Sequence, residues 1–116
     1  MLTPARFLAL SAAALITTAQ IAACTAALAG DVKAGRQKAH ACQTCHGLDG
    51  KSKLPEAPNL AGQNETYLVK ALKDYRSGAR KNDMMSLVAP TLKDQDIDDL
   101  AAYFAAIPVT FGEPPK

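Results

Sequence analysis

The chain reads as a single all-α domain, and three observations carry that reading. No segment sustains the period-two alternation of a half-buried strand. Three segments instead repeat apolar residues at helical spacing. Each of the three also carries a residue of the kind that begins or ends a helix. A length of 116 residues suits one domain and no more. So small a domain buries little of its own surface and often needs a cofactor, a metal or disulfides to hold together. A net charge of +2 leaves no nucleic-acid footprint, so no nucleic-acid partner is expected.

Residues 1–29 read as a cleaved export signal rather than as part of the fold. Arg6 gives a positive start, residues 7–16 form an apolar run, and Ala27-Leu28-Ala29 supplies small residues for a signal peptidase. Thr17, Thr18, Gln20 and the many alanines make the segment a poor membrane span. Cleavage after Ala29 leaves a domain of residues 30–116. Ile21-Ala22-Ala23-Cys24 offers a competing reading as a lipoprotein box, with Cys24 lipidated and the protein tethered to the membrane. The cleavage site directly before the helical domain favours discard of Cys24. Under either reading only Cys42 and Cys45 belong to the domain.

The first helix is predicted over residues 31–45, with Asp31 as its N-cap. Val32, Gly35, Ala39 and Cys42 recur there at helical spacing, and Gly35 and Ala39 are small enough to let another helix approach. A loop follows over residues 47–64, rich in glycine and proline and longer than most connections, which suggests a function or something to pack against. The second helix is predicted over residues 65–77, capped by Asn64 and stopped by Gly78. Its apolar face is Leu68, Ala71, Leu72 and Tyr75. Residues 80–90 read as another loop. The last helix is predicted over residues 94–107, ending before Pro108, with Ile97, Leu100, Ala101, Phe104 and Ile107 as its buried stripe. Asp94, Asp96, Asp98 and Asp99 crowd its positive end.

Cys42-Gln43-Thr44-Cys45-His46 is a C-x-x-C-H sequence, the pattern of covalent haem attachment. Two thiols three residues apart at a helix end project to one side, about one turn apart. They can form thioethers with the two vinyl groups on one edge of the ring, and His46 then ligates the iron. A thioredoxin-like dithiol would follow a strand, and no strand pattern is present. A structural zinc site needs four ligands, and beyond this motif the domain adds only His40. A plain disulfide would leave the adjacent histidine unexplained. The export signal agrees with haem, because bacterial attachment to C-x-x-C-H takes place outside the cytoplasm.

For the second axial ligand the domain offers two methionines, Met84 and Met85, in one loop. Methionine with histidine is an electron-transfer ligand pair, and the soft thioether raises the potential. The bland alternative for a methionine pair is gap filling in a core. His40 is the rival ligand, but it falls within the first helix on the same side as His46.

At this point the residues resemble the class I c-type cytochromes, especially small bacterial single-haem members and single lobes of the two-haem ones. The resemblance spans about residues 30–107. It rests on Ala34-Gly35, Cys42-x-x-Cys45-His46-Gly47 and Asp49-Gly50, then residues 58–63 with Pro58 and Asn59, then Tyr67-Leu68. Met85, Leu92, residues 94–97 and residues 100–104 complete it. It implies a cytochrome c fold of three main helices with long loops around one haem c, and a periplasmic electron carrier rather than an enzyme. By its spacing to Leu92, Met85 rather than Met84 matches the iron-ligand position. Pro58 matches the proline whose carbonyl accepts a hydrogen bond from the histidine ligand, and Gly35 with Tyr103-Phe104 matches the crossing of first and last helices. Lys93 departs from the pattern, standing where a capping serine is usual.

The implied partners are redox proteins, such as respiratory, dehydrogenase or oxidase complexes, with membrane contact only through a partner or a lipidated Cys24. Lys70, Lys73, Arg76, Arg80 and Lys81 cluster near the second helix, an asymmetry that could steer an acidic partner or be an ordinary solvated surface. The competing functional reading is a haem-based enzyme subunit or small-ligand sensor.

Overall fold

The computed structural model describes residues 29–116, so the export signal, its cleavage site up to Leu28 and Cys24 lie outside the described residues. Among the described residues five α-helices appear in order: α1 (Val32–Lys38), α2 (Gln43–His46), α3 (Glu65–Ser77), α4 (Met85–Val88) and α5 (Asp94–Ala105). Tight 3-10 turns occupy Ala39–Ala41 and Ala89–Thr91. There is no strand among the described residues, and none of their helices is long and apolar enough to cross a membrane.

The first predicted helix is broken. Asp31 caps it as expected, its carboxylate accepting from the Ala34 N–H at 2.7 Å. After Lys38 the backbone tightens, and the Cys42 N–H reaches Ala39 O at 2.9 Å, one residue short of an α-helical bond. Apolar spacing over a single turn fits both geometries, so the pattern of residues 31–45 could not separate them. Gly47, at φ +70°, ends α2.

The second helix keeps its predicted limits. The Asn64 side chain accepts from the Tyr67 N–H at 3.0 Å, and Gly78 adopts the left-handed conformation (φ 81°) that closes the last turn. The last helix ends at Ala105, two residues early, leaving Ile107 half-buried beyond it. At its start the Asp96 carboxylate accepts from the Lys93 N–H at 2.9 Å, the half of a capping box that needs no serine. The loop expected over residues 80–90 instead holds α4 and the beginning of the second 3-10 turn.

α1 lies directly on α5. A Cβ added at Gly35 would sit 2.0 Å from the Asp99 carbonyl oxygen and 2.7 Å from Tyr103 Cβ. The crossing therefore requires glycine at position 35. Asp99 fastens the same crossing from a buried position. It accepts from the Asp31 N–H at 2.8 Å, Gln95 Nε2 at 2.8 Å and Lys38 Nζ at 2.6 Å. The Asp31 N–H foremost, then Lys38, hold its carboxyl down at about 2. Lys38 also pairs with Asp96 at 2.7 Å. α3 also packs on α5, and Ala39, Leu68, Leu100, Ala101, Tyr103 and Phe104 form the common core. The Tyr103 hydroxyl donates to Leu48 O at 2.6 Å and so pins the start of the long loop.

Candidate cofactor site

α2 and the residue that caps its start present Cys42, Cys45 and His46 together. The two cysteines are half-buried and not joined to each other. Burial, and then the neighbouring Cys45, push the Cys42 thiol above its ordinary value. His46 is buried, and its Nδ1 lies 2.9 Å from the Pro58 carbonyl oxygen. A carbonyl can only accept, so the bond puts the imidazole proton on Nδ1 and leaves the lone pair on Nε2.

The long loop earns its length by placing that carbonyl. Gly50 O accepts from the N–H groups of Leu60 (2.8 Å) and Ala61 (3.1 Å), and the Ser52 N–H donates to Asn59 Oδ1 at 2.7 Å. Lys53 N–H ties the loop back to Cys45 O at 2.8 Å. Gly50 (φ +70°) has no room for a side chain, since a Cβ there would meet Ala61 N at 2.6 Å.

Cys42, Cys45, His46, Pro58 and Leu60 open onto one cavity of about 770 Å³. Its wall includes Cys42, Cys45, His46, Pro58, Met84 and Met85. Leu68, Leu72, Leu100 and Phe104 make much of the remainder apolar. Met85 is half-buried as the first residue of α4, whereas Met84 is 60% exposed. His40, the rival ligand, is exposed in the first tight turn and is not part of this wall. No cluster of three or more His, Cys, Asp or Glu suited to a metal ion occurs among the described residues.

Two features of the site have weak sequence signals. Asn82 accepts from the N–H groups of both Met84 and Met85 at 3.0 Å through Oδ1, a role that only a bare Asn ahead of two apolar residues hints at. Arg80 lies over the Tyr75 ring, 4.7 Å from its centroid, with Nη1 3.3 Å from the Tyr67 hydroxyl. It is the one Lys or Arg in the cavity wall among the described residues. The basic cluster is thereby smaller than the sequence suggests. Lys70 pairs with Asp74, and Arg76 bonds Asp94 at 2.6 Å and Leu92 O at 3.2 Å. Among the described residues only Lys73 and Lys81 of the five have neither an ion pair nor a place in the cavity wall.

The donor set fits a large, flat, iron-containing ring. Two thiols a turn apart, an imidazole with a free Nε2 and a mostly apolar wall share a cavity within the usual ligand-pocket range of about 300–1,000 Å³. The comparisons agree. Residues 32–107 match the family model for cytochrome c. Cytochrome c4 of Pseudomonas aeruginosa is 46% identical over 84 residues, 72% of this chain and 42% of that protein. Cytochrome c-554(548) of Halomonas halodenitrificans is 46% identical over 81 residues, covering 67% of this chain and 98% of that protein. The crystal structure of reduced recombinant cytochrome c4 from Pseudomonas stutzeri superposes with a TM-score of 0.63 at 44% identity, over 67% of this chain and 46% of that one.

This chain belongs to the cytochrome c family. Its fold is the all-α cytochrome c fold, its cofactor is covalently bound haem c, and the family's chemistry is haem-based electron transfer. The chain spans less than half the length of the cytochrome c4 relatives, and nearly all of the Halomonas protein.

Proposed function

We propose that this protein is a periplasmic one-electron carrier, with haem held by thioethers at Cys42 and Cys45 and its iron ligated by His46 and Met85. The observation that carries the reading is the single cavity onto which Cys42, Cys45, His46, Pro58 and Met85 all open. Bound there, the haem supplies a ferrous–ferric couple that exchanges one electron.

The chain's own residues do the rest. Pro58 holds the proton on His46 Nδ1, so the ring keeps one orientation and turns Nε2 to the metal. Leu68, Leu72, Leu100 and Phe104 keep water from the ring. Met85 brings a soft thioether that favours the ferrous state. With His46 and Met85 both holding the iron, no coordination site would be left for substrate or gas. That separates a carrier from the enzyme-subunit or sensor reading.

Export with cleavage after Ala29 gives a domain of residues 30–116 that works in the periplasm. A lipid on Cys24 would instead tether it to the membrane. A relative from Stutzerimonas stutzeri is named as a thiosulfate dehydrogenase electron acceptor, which supports redox enzymes as the partner class. The deciding experiment is a reduced-minus-oxidised spectrum with a potential titration of the purified protein. A reversible one-electron wave without carbon monoxide binding supports the carrier. Rapid carbon monoxide binding by the ferrous native protein would overturn it.

A further inference from the structure

Two adjacent methionines raise a question that ligand chemistry alone does not answer. Both line the cavity, and both carry the same thioether. Adjacent positions on a helical turn point about 100° apart, so a rigid turn can aim only one of them at a given point.

The turn is closed from both sides by one residue pair. Asn82 Oδ1 accepts from the Met84 N–H and the Met85 N–H, each at 3.0 Å. The Asn82 N–H donates to Ser86 Oγ at 3.0 Å, and the Ser86 N–H donates to Asn82 O at 2.9 Å. Two further bonds, from the Leu87 and Val88 N–H groups to Met84 O, continue the turn. Four hydrogen bonds therefore join Asn82 to the residues that carry or flank the two thioethers. A four-residue helix has no cooperative length to hold itself, so its register depends on such caps.

We infer that Asn82 is a positioning residue that decides which methionine meets the haem iron, its carboxamide and backbone locking the 82–86 turn in the register that presents Met85. The inference rests on the reading that Met85 is the ligand, and goes beyond it by naming what excludes Met84. The two can be tested apart.

The test uses purified protein with haem attached. Its readouts are the ferric charge-transfer band of thioether-ligated iron and the rate of cyanide binding. Asn82→Ala should raise that rate about two- to thirty-fold, the range set by losing a side-chain cap. Asn82→Asp keeps the oxygen acceptor and should restore the wild-type rate. Met85→Ala should lack the band while Asn82 is intact. Adding Asn82→Ala to Met85→Ala should bring part of the band back through Met84, and adding Met84→Ala should remove it again.

Ser86→Ala removes the partner of the Asn82 N–H and should give a smaller rise, which keeps the test available if Asn82→Ala fails to mature. Unchanged cyanide rates in both variants would overturn the inference. So would a Met84-dependent band in Met85→Ala with Asn82 present. A wild-type ferric protein without the band would instead overturn the ligand reading beneath it.

Discussion

The two segments that bring chemistry to the cavity are held in different ways. Residues 42–58 are fastened at several points: His46 is buried and bonded to Pro58 O, and Gly50 and Ser52 tie the loop to residues 59–61. Behind them, α1 is clamped to α5 by Gly35 and Asp99. Residues 82–88 form only a short turn, with Met84 and Leu87 60% and 71% exposed. The histidine side is thus part of the fold, whereas the methionine side is a replaceable arm resting on it. Substitutions on the first should cost holoprotein or stability. Those on the second should change redox and ligand-binding behaviour while leaving the fold standing.

The largest effect is expected at the attachment cysteines. Cys42→Ala and Cys45→Ala should each remove one thioether and impair maturation, and the double variant should hold no covalent haem. Extraction with acidified acetone checks this, since haem bound only by ligation leaves the protein. If the native protein loses its haem to that treatment, the attachment reading fails.

Next comes the helix crossing. Gly35→Ala would put a methyl where the Asp99 carbonyl oxygen stands 2.0 Å away. Backbone on both sides leaves little room to yield, so a loss of about 3 kcal/mol is expected. For a domain of this size that lowers Tm by more than about 10 °C. An unchanged Tm would mean that α1 can lift from α5 at little cost, contrary to the contrast drawn above.

Asp99 gives a smaller effect with a pH signature. Its carboxyl falls from 3.8 to about 2 on folding, and its side chain is only 3% exposed. A depressed carboxyl stabilises the fold above its unfolded value and loses that contribution as pH falls through the folded one. The contribution is about 2 kcal/mol at neutral pH and disappears between roughly pH 4 and pH 2. Asp99→Asn should lower stability at pH 7 by about that amount and flatten the acid limb between those pH values. Denaturant titrations at several pH values would show it. Equal acid limbs in the two proteins would remove Asp99 from the clamp.

The same contrast explains which parts could be read from sequence. The limits of α3 were legible because Asn64 and Gly78 act within a turn of the helix they bound. The C-x-x-C-H group was legible because its meaning is covalent spacing, independent of tertiary contact. The break after Lys38 was not, because a 3-10 and an α-helical turn differ by one hydrogen bond and share the same apolar spacing. Asp99 read as one of four acids at a helix start, and only the approach of α1 makes it the buried partner of Lys38 and the Asp31 N–H. Arg80 likewise read as surface charge, and Tyr67 and Tyr75 turn it toward the cavity. α4 is four residues long, too short for any periodicity to show. Local signals survived; of the distant contacts, the Gly35 crossing and the Pro58–His46 bond were legible only through the family resemblance, and the roles of Asp99 and Arg80 were not legible at all.

The smallest effect, and the most discriminating, belongs to the methionine pair. On the proposed ligation, Met85→Ala should leave haem attached and Tm little changed, but lower the potential and admit cyanide or carbon monoxide, because it would remove the thioether that favours ferrous iron. Met84→Ala should do almost nothing. Its side chain is 60% exposed, and truncating an exposed residue usually shifts stability by no more than about 0.5 kcal/mol. The potential and the ferric charge-transfer band should also stay where they are. The pair is informative because the two variants delete the same atoms one residue apart, so bulk and polarity cancel in the comparison. If Met84→Ala abolishes the band and Met85→Ala spares it, the ligand register is displaced by one residue and the more exposed side chain reaches the metal. If the double variant keeps the band and the potential, the thioether is not a ligand. The replaceable arm would then be a lid over an open iron site, and a ligand-binding haem protein would become the better description.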